Sequence, residues 1–184
     1  YDVFDLKILG WGVEFDYIVD PFVDNSSLIQ ILYDCGTLST ANAVYTLNQS
    51  INTTGNCLLI TASNVTLDGN GYTITGDAGA SDYGIQTNAD SDLVNITIKN
   101  FGNINNFSRG IYFDRVNNSL IKNNTMISTI GLTTYAIYIT DGDSNTIQNN
   151  TIDVTSSNGK GYGIYGDSNT IQNNTINVTS SNER

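Results

Sequence analysis

The chain of 184 residues contains no histidine. That removes the side chain that most often serves as a general base or metal ligand near neutral pH. It has one methionine, one tryptophan and one proline, and only 7 basic residues against 18 acidic ones, for a net charge of -11. Phosphate neutralisation needs clustered Lys and Arg, so a nucleic-acid partner is not expected. No apolar run approaches the roughly 18 residues that would cross a bilayer as a helix. The chain begins without an initiator Met or a signal peptide, as a mature or trimmed product would. There are two cysteines, Cys35 and Cys57. In an extracellular setting they read as a disulfide whose closed loop contributes roughly 3 kcal/mol; the other reading is a pair of buried thiols. The length fits one domain with an N-terminal appendage.

What the chain has instead is repetition. Tyr83-Gly84-Ile85, Arg109-Gly110-Ile111-Tyr112, Tyr135-Ala136-Ile137-Tyr138 and Tyr162-Gly163-Ile164-Tyr165 align, with the small residue recurring at steps of 26, 26 and 27. Each copy leads into a second apolar segment: Val94 to Ile98, Ile121 to Met126, Thr146 to Ile152 and Thr170 to Ile176. A period in the twenties, built from short β-branched runs and Asn/Gly turns, predicts a solenoid of β-coils. Ile85, Ile111, Ile137 and Ile164 are expected to form one inward column. Val94, Ile96 and Ile98 are expected to point inward, leaving Asn95, Thr97 and Lys99 outside. Asn123, Asn149 and Asn173 each precede a second Asn at a tight turn, where αL geometry is tolerated, and are read as a stacked ladder.

Residues 1–34 differ from the rest. They concentrate aromatic and acidic residues, and Val13, Phe15, Tyr17 and Val19 alternate with their neighbours in the period-2 pattern of a half-buried strand. With Trp11 they carry more apolar surface than a short arm buries alone. One reading is a cap over the open end of the solenoid; the other is a strand donated to a neighbouring subunit. Either makes Trp11, Val13, Phe15, Tyr17 and Val19 a contact surface.

From Cys35 onward the residues resemble a family. Cys-Gly, a Tyr-Thr-Leu strand, a second Cys, Asn64-Val65-Thr66-Leu67-Asp68-Gly69-Asn70-Gly71-Tyr72-Thr73-Ile74, and then iterated Gly-Ile-Tyr and Asn-Asn-Thr-Ile elements resemble the right-handed parallel β-helix proteins of the pectin-lyase-like superfamily. The likeness is nearer to its repeat-bearing surface and periplasmic members than to its enzymes. It implies an all-β, right-handed parallel β-helix of about six coils over residues 35–184, preceded by the capping or donor segment 1–34.

The resemblance also says what chemistry to look for. Hydrolases of this shape combine clustered Asp with a His-Gly element, which a chain without His cannot assemble. Its lyases combine Ca²⁺-binding carboxylates with an Arg or Lys base. Arg109, Arg115, Lys99 and Lys122 fall in neighbouring coils near Asp114 and Asp92, but no long loop is available to build the dry cleft such a base requires. No enzyme activity, cofactor or metal site is therefore expected. Asp114, Asp141 and Asp167, with Asp143, read either as an acidic column suited to Ca²⁺ or as solvated turn residues. Tyr112, Tyr138 and Tyr165 read either as a platform for sugar rings or a neighbouring protein, or as an external stack over the backbone.

Asn-x-Ser/Thr acceptors start at Asn25, Asn48, Asn52, Asn64, Asn95, Asn106, Asn117, Asn123, Asn149, Asn173 and Asn177. Glycans are expected on the outward positions, whereas Asn123, Asn149 and Asn173, as ladder residues, are expected to stay bare. After Ile176 the chain copies an earlier coil and adds no covering segment, so either the sequence is cut short here or another subunit is the cap; for a natural end the second is expected. Together these features predict an extracellular or cell-surface structural glycoprotein that assembles head to tail with itself. The alternative is a polysaccharide-binding or polysaccharide-cleaving β-helix that meets an acidic sugar through Arg109, Arg115 and Lys122.

Overall fold

The computed structural model describes residues 8–9, 12–13, 28–87, 90 and 92–181. Among the described residues there is no helix, and apart from one short antiparallel pair, Ile8–Leu9 with Gly12–Val13, every pairing is parallel. The strands build a solenoid of about five turns, one fewer than the sequence suggested. Trp11, Phe15, Tyr17, Val19 and Asn25 lie outside the described residues; Val13 pairs with Ile8.

Three faces run the length of the solenoid. The long sheet stacks Leu28–Leu32, Ala43–Leu47, Thr66–Asp68, Thr97–Lys99, Leu120–Lys122, Thr146–Gln148 and Thr170–Gln172. The tyrosine sheet stacks Gly36–Leu38, Leu58–Ile60, Tyr83–Thr87, Arg109–Asp114, Thr134–Thr140 and Gly161–Tyr165. The third face comprises Ile51–Asn52, Thr73–Thr75 and Asn103–Asn105, followed by Thr125–Ile130, Thr151–Ser156 and Thr175–Ser180. Because Leu28–Leu32 pairs with Ala43–Leu47, the solenoid extends into the segment read from sequence as a cap.

Like stacks on like because each strand lies in register on the strand one coil below, with inward positions set by the period-2 alternation. Leu58, Ile85, Ile111 and Ile137 form one fully buried column, continued by the partly buried Ile164. Tyr45, Leu67, Ile98, Ile121 and Ile147 form a second. Ile51, Ile74 and Ile104 begin a third. Cys35 and Cys57 are joined by a disulfide across the first coil.

The corners are asparagine-rich for a backbone reason. Asn42, Asn64, Asn95, Asn100, Asn118, Asn123, Asn149 and Asn173 all adopt φ between 52° and 62°, the left-handed region that Asn tolerates better than other non-glycine residues. At Asn95 this corner interrupts the strand expected from Val94 to Ile98. Val94 consequently faces solvent, while Leu93, Ile96 and Ile98 are buried.

Candidate functional site

The richest assembly of side chains lies on the outer face of the tyrosine sheet. In each repeat the small residue and the isoleucine after it are both turned inward, so the residues three apart that flank them both project outward. The small residue is needed for clearance: a Cβ on Gly84 would lie 2.6 Å from the Gly110 carbonyl oxygen. Two aromatic columns result where alternation alone predicts one. The first aligns Tyr83, Arg109, Tyr135 and Tyr162, and the second aligns Gln86, Tyr112, Tyr138 and Tyr165.

The rings contact one another continuously. Centroid separations are 5.2 Å for Tyr83 and Tyr112, 5.4 Å for Tyr112 and Tyr138, 4.8 Å for Tyr135 and Tyr138, 4.5 Å for Tyr135 and Tyr162, and 5.1 Å for Tyr138 and Tyr165. The Arg109 guanidinium stands among four of them, between 5.1 and 5.7 Å from the centroids of Tyr83, Tyr112, Tyr135 and Tyr138, within cation–π range. Its Nη1 donates to the Tyr83 hydroxyl at 3.3 Å, and its buried Nε has no hydrogen-bond partner. The Tyr112 hydroxyl donates to Asp114 Oδ2 at 3.2 Å. Burial, followed by the nearby Asp114 carboxylate, pushes the Tyr112 pKa up to about 12. Burial and the neighbouring Tyr162 and Tyr138 raise that of Tyr135. Most ring faces are thus occupied by other rings or by Arg109, which favours the reading of Tyr112, Tyr138 and Tyr165 as an external stack over a sugar platform.

The basic residues do not converge. Arg109 belongs to the tyrosine sheet, while Lys99 and Lys122 are in register on the long sheet, where Lys99 pairs with Asp68 at 3.1 Å. Arg115 sits at a corner (φ 56°) and pairs with Asp92 at 2.8 Å. The acidic column does not align either. Asp114 is in register with Thr140, which leaves Asp141 one position further on at a left-handed corner. Among the described residues, no group of three or more His, Cys, Asp or Glu is placed to hold a metal. A shallow groove on the long sheet is lined by Asn118, Ser119, Leu120, Ser144, Thr146, Gln148 and Gln172, none of which is an acid or base.

The asparagine ladder exists, displaced by one residue from its expected place. Asn123, Asn149 and Asn173 are the exposed left-handed corner residues, and the inward residue after each forms the ladder. Asn150 Oδ1 accepts from Asn124 N (3.0 Å) and Asn124 Nδ2 (3.1 Å), and Asn174 Oδ1 accepts from Asn150 N (2.9 Å) and Asn150 Nδ2 (3.0 Å). Alternation counted back from buried Met126 through outward Thr125 would have assigned it. A second ladder, Ser119, Asn145 and Asn169, runs along the neighbouring corner: Ser119 N donates to Asn145 Oδ1 at 3.0 Å, and Asn145 N to Asn169 Oδ1 at 3.1 Å.

The acceptor motifs follow from the same geometry. Asn64, Asn95, Asn106, Asn123, Asn149 and Asn173 all occupy left-handed corners. The inward residue comes next, followed by Ser or an outward Thr entering a strand, so Asn-x-Ser/Thr is also what a coil corner spells. Asn48, Asn52 and Asn177 are exposed. Asn117 Oδ1 is engaged by Asp143 N at 2.7 Å, and Asn95 Nδ2 donates to Asn64 Oδ1 at 3.0 Å.

Residues 22–182 match the family described as periplasmic copper-binding protein (NosD). The chain belongs to the NosD family. No curated protein and no solved structure matches it. Membership agrees with the parallel β-solenoid of the pectin-lyase-like fold and with the disulfide of an oxidising compartment. The copper in the family's description does not fit the donors of this chain. Thiolate and thioether ligands select Cu(I), and imidazole is the side-chain nitrogen donor suited to copper. Here there is no His, both cysteines are in the disulfide, and the one methionine, Met126, is buried in the core.

Proposed function

We propose that this NosD-family β-helix is a structural subunit at the cell surface or outside the cell, assembling head to tail into a filament or layer. The observation that carries the proposal is that, among the described residues, Leu28–Leu32 and Thr170–Gln172 are the two edge strands of one and the same seven-stranded sheet. No described strand pairs with the outer side of either, and an edge strand is a template for pairing with another chain. At the second edge, Ile171, Ile176 and Val178 continue the columns of Ile147, Ile152 and Val154, yet Ile176 is 45 % exposed where Ile152 is 1 % exposed. Among the described residues, the surface exposed at this edge is therefore the one that the equivalent residues bury one coil earlier. At the first edge, Leu28 is exposed in the register of buried Ala43. The partner on these edges is a second copy of the chain: residues 170–180 of one copy stack against residues 28–38 of the next. Such a heterologous contact does not close on itself and propagates. N-glycans on Asn48, Asn52 and Asn177, and on the exposed corners Asn123, Asn149 and Asn173, would coat the shaft.

The test is sedimentation and electron microscopy of the full chain beside Leu28→Asp and Ile176→Asp. Wild type is expected to form filaments or a concentration-dependent ladder of oligomers, each variant alone to stay monomeric, and the equimolar mixture to stop at a dimer through its one intact pair of ends. Wild type that stays monomeric at every concentration, with circular dichroism showing a folded β protein, would overturn the proposal. Mass spectrometry of natively purified protein tests the glycans: unmodified asparagines at all the named positions would remove that part and leave the assembly reading intact.

A further inference from the structure

The tyrosine face has a property that neither packing nor assembly requires. Six tyrosines form one connected network, a run from Tyr83 through Tyr112, Tyr138 and Tyr135 to Tyr162 with Tyr165 branching from Tyr138, whose linking centroid separations are 4.5 to 5.4 Å. Tyr165, at one end, is 50 % exposed, whereas Tyr112, inside the path, is half-buried. Tyr138 joins them, stacked on Tyr112 at 5.4 Å and tilted against Tyr165 at 5.1 Å. Electron transfer falls off steeply with separation, and rings in contact pass an electron far faster than rings one coil further apart. One member of the path also has a proton acceptor, since the Tyr112 hydroxyl donates to Asp114 Oδ2 at 3.2 Å.

We propose that this stack is a one-electron relay, in which a hole created at exposed Tyr165 passes through Tyr138 and comes to rest at Tyr112 as a neutral tyrosyl radical. The oxidant is of the diffusible one-electron class, such as a carbonate radical or a photogenerated ruthenium(III) complex. It takes one electron from the stack and is itself reduced by one. The Tyr112 phenol loses that electron and its hydroxyl proton, and the proton moves to the Asp114 carboxylate, which becomes the neutral acid. No bond between heavy atoms forms or breaks. Two features of the site select this resting place. The Arg109 guanidinium opposes a positively charged radical on the four rings around it, so among those rings the hole persists only where a proton can leave. The Tyr112 phenol, with its pKa pushed up to about 12 by burial and by Asp114, keeps its proton until the electron goes. The function this supplies is a sink that draws oxidising equivalents away from the surface they strike.

The experiment uses the full chain with photogenerated ruthenium(III) tris-bipyridine, persulfate as terminal electron acceptor, and a nitrone spin trap. Adducts are located on each tyrosine by mass spectrometry, and the radical is followed by freeze-quench electron paramagnetic resonance. Exposed Tyr33, 58 % accessible and absent from every ring contact among the described residues, is the internal control. The relay predicts at least several-fold more adduct on Tyr112 than on Tyr33, although Tyr33 is the more accessible. Tyr138→Phe keeps a ring in the stack but has no phenolic proton to lose, and is expected to cut the Tyr112 adduct about tenfold while leaving adduct on Tyr165. Asp114→Asn, which keeps a hydrogen-bonding group but cannot take the proton, is expected to shorten the radical's lifetime. Adducts that follow accessibility alone, or a Tyr112 yield unchanged in Tyr138→Phe with its circular dichroism intact, would overturn the relay.

Discussion

The early and late coils of this solenoid solve the same corner in two ways. Both place a left-handed residue at the bend: Asn64, Asn95 and Asn100 in the early coils, and Asn118, Asn123, Ser144, Asn149, Ser168 and Asn173 in the late ones. In the early coils the inward residue that follows is apolar, namely Val65, Ile96 and Phe101, all buried. In the late coils it is polar, as Ser119, Asn145 and Asn169 along one corner and Asn124, Asn150 and Asn174 along the other. The changeover is direct, since Phe101 N donates to Asn124 Oδ1 at 3.1 Å and Ile96 N donates to Ser119 Oγ at 2.8 Å. The backbone conformation is thus the invariant, and its filling is a choice between packing and hydrogen bonding.

The choice has consequences for sequence freedom. An apolar filler is held by contact, as where Phe101 packs so closely over Gly69 that a Cβ there would lie 2.5 Å from the ring. Volume matters in such a seat, and the coils on either side can differ in length. A ladder asparagine needs the same group at the same height in the next coil, because its Oδ1 and Nδ2 are both used from coil to coil. Accordingly, Asn145-Thr-Ile-Gln-Asn-Asn-Thr-Ile152 recurs unchanged at residues 169–176. The early coils, without ladders, carry the covalent staple instead.

The contrast can be broken at either end. The largest effect is expected from Cys35→Ser with Cys57→Ser, which opens a loop of sequence separation 22 and is expected to cost about 3 kcal/mol, read as a lowered midpoint in chemical denaturation. Amide hydrogen exchange should rise first around residues 36–60, leaving the ladder coils protected. A milder effect is expected in the late coils. Asn150→Ala removes the acceptor of Asn124 N and the donor to the Ile121 carbonyl oxygen, leaving buried groups unpaired at about 2 to 3 kcal/mol. Asn149→Ala next to it is expected to cost only about 1 kcal/mol, the strain of alanine at φ 56°, and Asn149→Gly close to nothing. Equal losses at positions 149 and 150 would mean that the ladder contributes no more than the corner.

The smallest effect depends on pH. Burial raises the pKa of Asp68, but the Asn70 N–H, Lys99 and Asn100 outweigh it and hold the carboxyl below its usual 3.8. A carboxyl with a depressed folded-state pKa contributes stability above its unfolded pKa and loses it as pH falls through the folded value. Stability should therefore drop below about pH 4, and Asp68→Asn should flatten that part of the profile. The pair with Lys99 still reaches solvent, its side chains 29 % and 20 % exposed, and this limits the effect to about 0.5 kcal/mol, measurable as the difference between denaturation midpoints at pH 6 and pH 3.

What the sequence determined by itself was everything that depends on local period and on a residue's own backbone preference. The parallel coils and the isoleucine column follow from repeats whose inward positions recur, because a strand stacked in register on its own copy must place like over like. The left-handed corners follow from Asn as a residue type. Tertiary structure alone decided the phase at each corner, because a left-handed residue resets the alternation that follows it. That is why Val94 faces out, and why the ladder runs through Asn124, Asn150 and Asn174 and not through the asparagines before them. It also decided that Tyr83, Tyr135 and Tyr162 share a face with Tyr112, Tyr138 and Tyr165, and that Arg109 stands among them. Two consecutive inward residues in a strand depend on the clearance left by the backbone of the next coil, and that clearance is a property of the stack.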